Sequence, residues 1–393
     1  MKYRRFGRTE LQMPVISCGG MRYQQSWQDI QPDEKIDPAG QENLKNCIYR
    51  SFDLGINHIE TARGYGTSEY QLGLFLKDLP RDEMIIQTKV SVKDSPDLFL
   101  ADFELSMNRL QLDYVDLLSF HGINNDELLN RVINQGQMEV ALKLKEQGRI
   151  RHIGFSTHGP TPTLLNAVKT DAFDYINLHW YYFDQKHWQV IEEAAKHDMG
   201  VFIISPTDKG GMLQNPPQKL TDLCAPMTPI GFNGLFCLSH PQVHTLSCGV
   251  AKPEEFNELV DIVPLIPDAS KHLAPILVRL ESTLNQTVGV EWAKGWATGL
   301  PEIDDTPYEL NLYHTLRLLN MYEAYDMLDF AKSRYNLLGN GGHWFAGSKV
   351  GDFDDAILLD SLKNYPFAKE VPAKLRYAHK KFNAEDNKRL SES

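Results

Sequence analysis

Apolar residues in this chain come in short runs that end on polar or ionisable side chains, with stretches of helical spacing between them. The runs fall at 15–18, 56–59, 84–89, 113–121, 150–155, 174–178, 201–205 and 244–249. Residues 42–54 place Leu44, Cys47, Ile48, Ser51 and Phe52 on one helical face, and 96–110 and 135–147 repeat the pattern. Eight strand-helix units joined by short gaps predict an α/β fold, a parallel (β/α)8 TIM barrel. Ahead of the first run, residues 1–12 read as a small charged β-hairpin. The polar stretch 24–40, with Pro32 and Pro38, reads as a mobile insertion over the site.

From about residue 268 the alternation stops, and 270–380 is helical and irregular, rich in Leu, Tyr and Asn. A barrel of this kind takes about 250 residues as one unit. The division is therefore 1–265 for the barrel and 266–393 for an appended, mostly helical C-terminal domain. Trp292 and Trp296, four apart, read as one packing face of a helix. Asp352-Phe353-Asp354-Asp355 lacks the Gly and Glu of a calcium loop and reads as a solvated turn. The charged tail from His379 reads as frayed.

A hydrophobic content of 42% suits a large buried core. The 40 basic and 52 acidic residues give a formal charge of -12, which argues against nucleic acid or anionic membrane as partners. An anionic ligand must then find a local basic pocket. No apolar run approaches the roughly 18 residues of a membrane span. Arg4-Arg5 is not an export signal, because Gly7-Arg8-Thr9-Glu10 and Pro14 deny it the long apolar stretch that such a signal needs, and the chain reads as cytoplasmic. Cysteines 18, 47, 224, 237 and 248 form no C-x-x-C pair and read as reduced, buried thiols. His152, His158, His179 and His187 have no metal-ligand spacing, so no metal is expected.

The ionisable residues at the ends of the runs carry the chemistry. Glu60 closes the second, Tyr65 comes after it between Gly64 and Gly66, Lys89 closes the third, and His121 the fourth. Active sites of this barrel lie at the carboxyl ends of its strands. Reducing a carbonyl needs a hydride on carbon and a proton on oxygen, and a phenol of pKa about 10 is a poor acid at neutral pH. Lys89 would lower that pKa, Glu60 would keep Lys89 charged and oriented, and His121 would hydrogen-bond the carbonyl oxygen. Singly, each has a plain reading as a surface pair, core rim, solvated lysine or satisfied histidine. Gly19, Gly20 and Met21, at the end of the first run, would allow a ligand to approach the backbone.

Glu60-Thr61-Ala62, Tyr65-Gly66 and Ser68-Glu69 resemble, in order and spacing, the aldo-keto reductase signature, with Glu60 where that family usually carries Asp. The resemblance runs over residues 1 to about 262. It implies a catalytic tetrad of Glu60, Tyr65, Lys89 and His121, and NADPH in preference to NADH. Ser156 and Thr157 would meet the cofactor carboxamide, Thr157 standing where Asn is usual, with Asn177 in place of a Gln. Ser205, Lys209 and Gly210 would approach the pyrophosphate, and Gly249 and Lys252 resemble the adenosine phosphate loop. No second basic partner for Lys252 is evident, and Ile204 stands where an aromatic often stacks.

The C-terminal domain resembles the ferredoxin-like extension of one branch of the family that carries 4Fe-4S clusters. Cluster ligation there needs C-x2-C-x2-C-x3-C-P, and counting back from Pro301 gives Val290, Ala293, Trp296 and Leu300. The expectation is a degenerate module without an iron-sulfur cluster, kept as packing or lid. The implied function is an NADPH-dependent oxidoreductase that reduces small-molecule aldehydes or ketones to alcohols, with Tyr65 as general acid. The competing reading is a nucleotide-binding regulatory or interaction protein with little turnover. A Schiff-base enzyme using Lys89 is disfavoured, because pairing with Glu60 keeps the amine protonated. Substrate identity and oligomeric state are not written in the sequence.

Overall fold

A computed structural model describes residues 1–31, 34–339 and 347–384. The chain divides into two compact units, one of Met1–Lys209 and Asn233–Ala269, the other of Gly210–Phe232 and the residues from Ser270 onward.

The first unit opens on the expected hairpin, in which β1 (Tyr3–Arg5) pairs antiparallel with β2 (Gln12–Pro14). The barrel strands are β3 (Ile16–Gly19), β4 (His58–Glu60), β5 (Ile85–Ser91), β6 (Val115–His121), β7 (Ile150–Ser156), β8 (Tyr175–Leu178), β9 (Gly200–Ile203) and β10 (Thr245–Gly249). All neighbours are parallel, and β10 closes onto β3. The register matters for function. Gly19 lies opposite Glu60, His121 opposite Ser156, and Ser156 opposite Asn177, so these side chains end on one rim.

Between the strands run α1 (Pro38–Asp53), α2 (Ser68–Gly73), α3 (Pro96–Leu110), α4 (Asp126–Asn134), α5 (Gln137–Glu146), α6 (Thr161–Lys169) and α7 (Trp188–Lys196). Helix α1 begins four residues before the apolar pattern does, because Pro38 occupies its first turn and the Asp37 carboxylate accepts the Gly40 N–H at 2.7 Å. The pattern did not predict α4. It is set by a cap, Asn125 Oδ1 accepting the Leu128 N–H at 2.8 Å, and buries only Leu129 and Val132. After β9 come α8 (Gln218–Cys224), α9 (Pro229–Leu238) and α10 (Asn257–Val260).

The barrel interior is layered. At the amino ends of the strands Phe6, Met13, Ile85, Leu117, Tyr175 and Phe202 form one apolar cluster. Gly200 is required there: a Cβ on it would stand 2.6 Å from the Phe6 ring. Above this lies a polar belt, in which Ser17 Oγ sits 2.6 Å from His58 Nδ1 and 2.7 Å from Thr245 Oγ1. Gln87 donates to Ser119 at 3.0 Å, and Ser119 meets the Tyr175 hydroxyl at 2.9 Å.

The second unit holds α11 (Ala269–Val288), α12 (Val290–Gly295), α13 (Leu312–Tyr325), α14 (Leu328–Tyr335), α15 (Asp355–Ser361) and α16 (Val371–Phe382). It takes residues 210–232 with it, which differs from a division at 265. The reason is visible at Arg279, whose guanidinium donates to the carbonyls of Leu223, at 2.9 Å, and Ala225. Its core gathers Trp292, Leu310, Leu316, Val350, Leu358 and Leu375. The positions counted as former cluster ligands do not form a set. Val290 is 47% exposed, whereas Trp296 and Leu300 lean on the core. Asp354 caps α15 by accepting the Ala356 and Ile357 N–H groups, so the acidic run is a helix start. Lys380 and Lys381 belong to α16 rather than to a frayed tail; residues 385–393 lie outside the described residues.

All five cysteines are free and buried, and burial pushes each thiol up from its ordinary value. Among the described residues no helix is long and apolar enough to cross a membrane.

Candidate active site

The rim register brings the four tetrad residues together. The Lys89 ammonium contacts Glu60 Oε1 and donates to the Thr61 carbonyl and the Tyr65 hydroxyl, both at 3.0 Å. The Tyr65 hydroxyl in turn lies 3.3 Å from Glu60 Oε1. Glu60, one methylene longer than Asp, therefore touches both the ammonium and the phenol. The His121 ring stands edge-on to Tyr65, centroids 5.8 Å apart at 86°.

Electrostatics at this rim are governed by burial. Lys89 is 1% exposed, and burial, with the charge of Lys209, pulls its amine below the ordinary lysine value. Contact with the Glu60 carboxylate opposes that pull. Burial, then the Lys89 and Lys209 charges, take His121 down to about 3, so its imidazole is neutral. The Tyr65 phenol is pushed up by burial. This is opposite in sign to the lowered value expected from a neighbouring lysine, because Glu60 neutralises the ammonium while desolvation still penalises the phenolate.

The insertion after β3 lies against this rim, held by many contacts rather than loose. Trp27 stands edge-on to Tyr65 at 6.5 Å. Asp29 receives Arg63 at 2.7 Å and Arg109 at 3.3 Å, and Arg63 also meets the fully buried Glu69 at 2.5 Å. Pro32 and Asp33 of this insertion lie outside the described residues.

On the cofactor side, Asn177 is the informative residue. Its side chain is fully buried, and neither amide atom has a hydrogen-bond partner among the described residues. A buried amide in that condition costs about 1–3 kcal/mol until something bonds it. A carboxamide has the matching donor and acceptor, so the site fits the nicotinamide group. Ser156, next to it in register, accepts the Gly122 N–H at 3.2 Å and keeps a donor to offer. Thr157 does not. Its hydroxyl donates to the Ile123 carbonyl at 2.7 Å and accepts the Gly159 N–H at 3.0 Å, so it builds the loop.

Gly20 is set by packing, since a Cβ there would stand 2.5 Å from the Glu60 carbonyl oxygen, and Met21 is half-buried beside it. Ser205 sits at φ 49 after β9, where its carbonyl accepts the Lys209 N–H at 3.1 Å. Gly210 belongs to the second unit. Lys252 is exposed at the start of the turn after β10. Sequence reasoning missed Arg22, which donates to the Gly249 carbonyl at 3.0 Å and to Glu255 at 2.7 Å. Closure of β10 onto β3 brings it beside the loop that carries Lys252, with its charge paired to Glu255. Also missed was the pair His158 and His179, whose Nδ1 and Nε2 lie 2.7 Å apart, with Tyr181 beyond. Among the described residues no group of three or more His, Cys, Asp or Glu is arranged to hold a metal.

Comparison with known proteins finds similar chains among dehydrogenases and reductases. L-galactose dehydrogenase of Arabidopsis thaliana is 30% identical over 46% of the chain and 60% of its own length. L-glyceraldehyde 3-phosphate reductase of Escherichia coli K12 is 25% identical over 42% of the chain. The chain spans 60% and 47% of the length of these curated relatives. An aldo-keto reductase of Klebsiella pneumoniae, solved in complex with NADPH, superposes with a TM-score of 0.54 at 18% identity, over 69% of this chain and 94% of that one. The profile of the Aldo/keto reductase family matches residues 15–262, a span that holds every rim residue described above, and the chain belongs to that family.

Proposed function

We propose that the protein reduces aldehydes or ketones to alcohols with NADPH, Tyr65 giving the proton. The observation that carries this is the single contact set of Tyr65, Lys89 and Glu60 at the carboxyl rim. NADPH supplies the hydride to the carbonyl carbon when bound. The Lys89 N–H points into the phenol oxygen and stabilises the charge that appears there as the proton leaves. Without substrate, the Tyr65 proton is directed at Glu60 Oε1; a carbonyl oxygen entering beside the ring gives it a better-placed acceptor. His121, neutral at working pH, is a hydrogen-bond donor to that oxygen rather than a competing acid. The half-buried phenol, held against the buried Lys89 amine, keeps its proton until the carbonyl arrives.

Asn177 and Ser156 orient the carboxamide, and Lys252 with Arg22 meet the adenosine phosphate, which favours NADPH over NADH. The NADPH bound by the Klebsiella reductase supports the same reading. The test is NADPH oxidation against a panel of aldehydes and ketones, alongside NADPH binding measured by fluorescence. Carbonyl-dependent turnover that vanishes in Tyr65→Phe while NADPH still binds is the expected result. Tight NADPH binding with no carbonyl turned over would overturn the reductase in favour of a nucleotide-binding regulator.

A further inference from the structure

At the amino ends of the strands, away from the catalytic rim, the hairpin borders an open cavity of about 440 Å³. Lys2, Arg4, Arg5 and His244 line it together with the apolar Leu238 and Ile266. A volume of that size holds a small organic molecule. In a chain of formal charge -12, three cationic side chains around one cavity set it apart from the rest of the surface.

The charges there are not balanced. Arg5 is matched by Glu10, at 2.5 Å, and by Asp198, at 2.7 Å. Arg4 meets no carboxylate among the described residues; it donates to the carbonyls of Leu238 at 2.7 Å, His240 at 3.3 Å and Val243. Leu238 ends α9, and a helix carboxyl end carries roughly half a negative charge, which offsets part of the guanidinium. The exposed Lys2 ammonium has no carboxylate among the described residues either, only the Lys2 carbonyl being used, to accept the Val15 N–H at 3.0 Å. Three cations against two carboxylates leave a formal surplus of one positive charge. His244 adds a donor. Its Nδ1 accepts the Val201 N–H at 2.9 Å, which puts the ring proton on Nε2. Burial, then the Arg4 charge, take its imidazole down to about 4, so it is neutral at pH 7. The Nε2–H has no acceptor among the described residues.

We propose that this cavity binds a small organic monoanion, a carboxylate with an apolar body, whose oxygens take Lys2, Arg4 and the His244 Nε2–H and whose body lies on Leu238 and Ile266. A carboxylate accepts at both oxygens and brings one negative charge, which matches the donors and the surplus. Inorganic phosphate offers the charge without the body, and an alcohol the body without the charge. The ligand would join the hairpin to the residue that leads into β10, and the site does not depend on the reductase reading of the opposite rim.

The test is calorimetric titration of the full chain with octanoate, 1-octanol and inorganic phosphate, each with and without NADPH. Octanoate binds about tenfold or more tightly than either of the others, because each of them lacks one half of the recognition. Lys2→Glu reverses the charge of an exposed side chain and weakens octanoate about tenfold or more, and Arg4→Gln does the same. Tyr65→Phe and NADPH leave octanoate affinity within about twofold. Octanoate affinity within about twofold of wild type in Lys2→Glu overturns the proposal, as does the absence of octanoate binding in the millimolar range. Phosphate bound as tightly as octanoate overturns the ligand class. Octanoate that is displaced by NADPH, or lost in Tyr65→Phe, sits at the catalytic rim, which also overturns the proposal. Should Arg4→Gln not fold, for want of the three carbonyl contacts, Lys2→Glu is read alone by the same criterion.

Discussion

The two ends of the barrel interior solve opposite problems with the same strands. At the amino end, Phe6 is driven in from the hairpin against Gly200 and Tyr175, and the cluster around it is apolar and filled. At the carboxyl end, a lysine, a glutamate and an amide are buried, and the amide has nothing to bond among the described residues. The cluster at the first end follows the rule that interiors are close-packed and their polar groups satisfied, its one hydroxyl, on Tyr175, meeting Ser119. The second breaks it at the residues facing the expected cofactor. The contrast separates side chains kept for stability from those kept ready for a ligand, and substitutions at each end should fail in different assays.

The largest effect is expected at the filled end. Phe6→Ala removes a fully buried ring that also meets His244 at 5.6 Å, and should cost about 3–5 kcal/mol in urea unfolding. A loss below about 1 kcal/mol would mean the hairpin plug does not anchor the barrel. At the other end, Tyr65→Phe should reduce turnover by about 100-fold or more while barely moving the urea midpoint. Retention of about a tenth of the wild-type rate would remove Tyr65 from the role of general acid. Lys252→Ala, at the edge of the same end, should weaken NADPH by about 1.5–3 kcal/mol and spare NADH. Equal losses for both would place Lys252 on the shared part of the dinucleotide.

A pH-dependent effect sharpens the comparison in the belt between the ends. His58 is fully buried, and burial, with the Lys89 charge, takes its imidazole from 6.5 down to about 3. Between those values the unfolded chain binds a proton that the folded one does not. This contribution is therefore complete above about pH 6.5 and is lost as pH falls toward 3, by about 1.4 kcal/mol per pH unit. His58→Gln should flatten the stability profile by that slope between about pH 6 and pH 4. An unchanged slope would show that His58 is protonated inside the barrel.

Much of the carboxyl end was readable in advance because a parallel strand announces its end: apolar residues stop and an ionisable one begins. Glu60, Lys89 and His121 could be picked out this way, Asn177 came only from the family resemblance, and the barrel followed from eight repetitions. What escaped depends on closure or on single caps. Arg22 and Glu255 are 233 residues apart and meet only because β10 pairs with β3. His158 and His179 meet because β7 and β8 are neighbours, and no spacing rule marks them. Helix α4 hid in a polar stretch because one Asn cap outweighed a thin apolar face. The span 210–232 was misassigned because Arg279 reaches it from far along the chain. The sign of the Tyr65 shift was missed because a sequence names neighbours but not desolvation.

The buried thiols have a practical consequence. Five cysteines sheltered in the folded chain, with thiols held protonated, should react slowly with maleimides or aromatic disulfides. One cysteine introduced on the surface would then label alone, with no native cysteine removed first. Run the other way, the rate at which the native thiols become reactive in a folded sample is a clock for opening of the barrel wall. Cys18 and Cys248, side by side on β3 and β10, report the seam where the barrel closes.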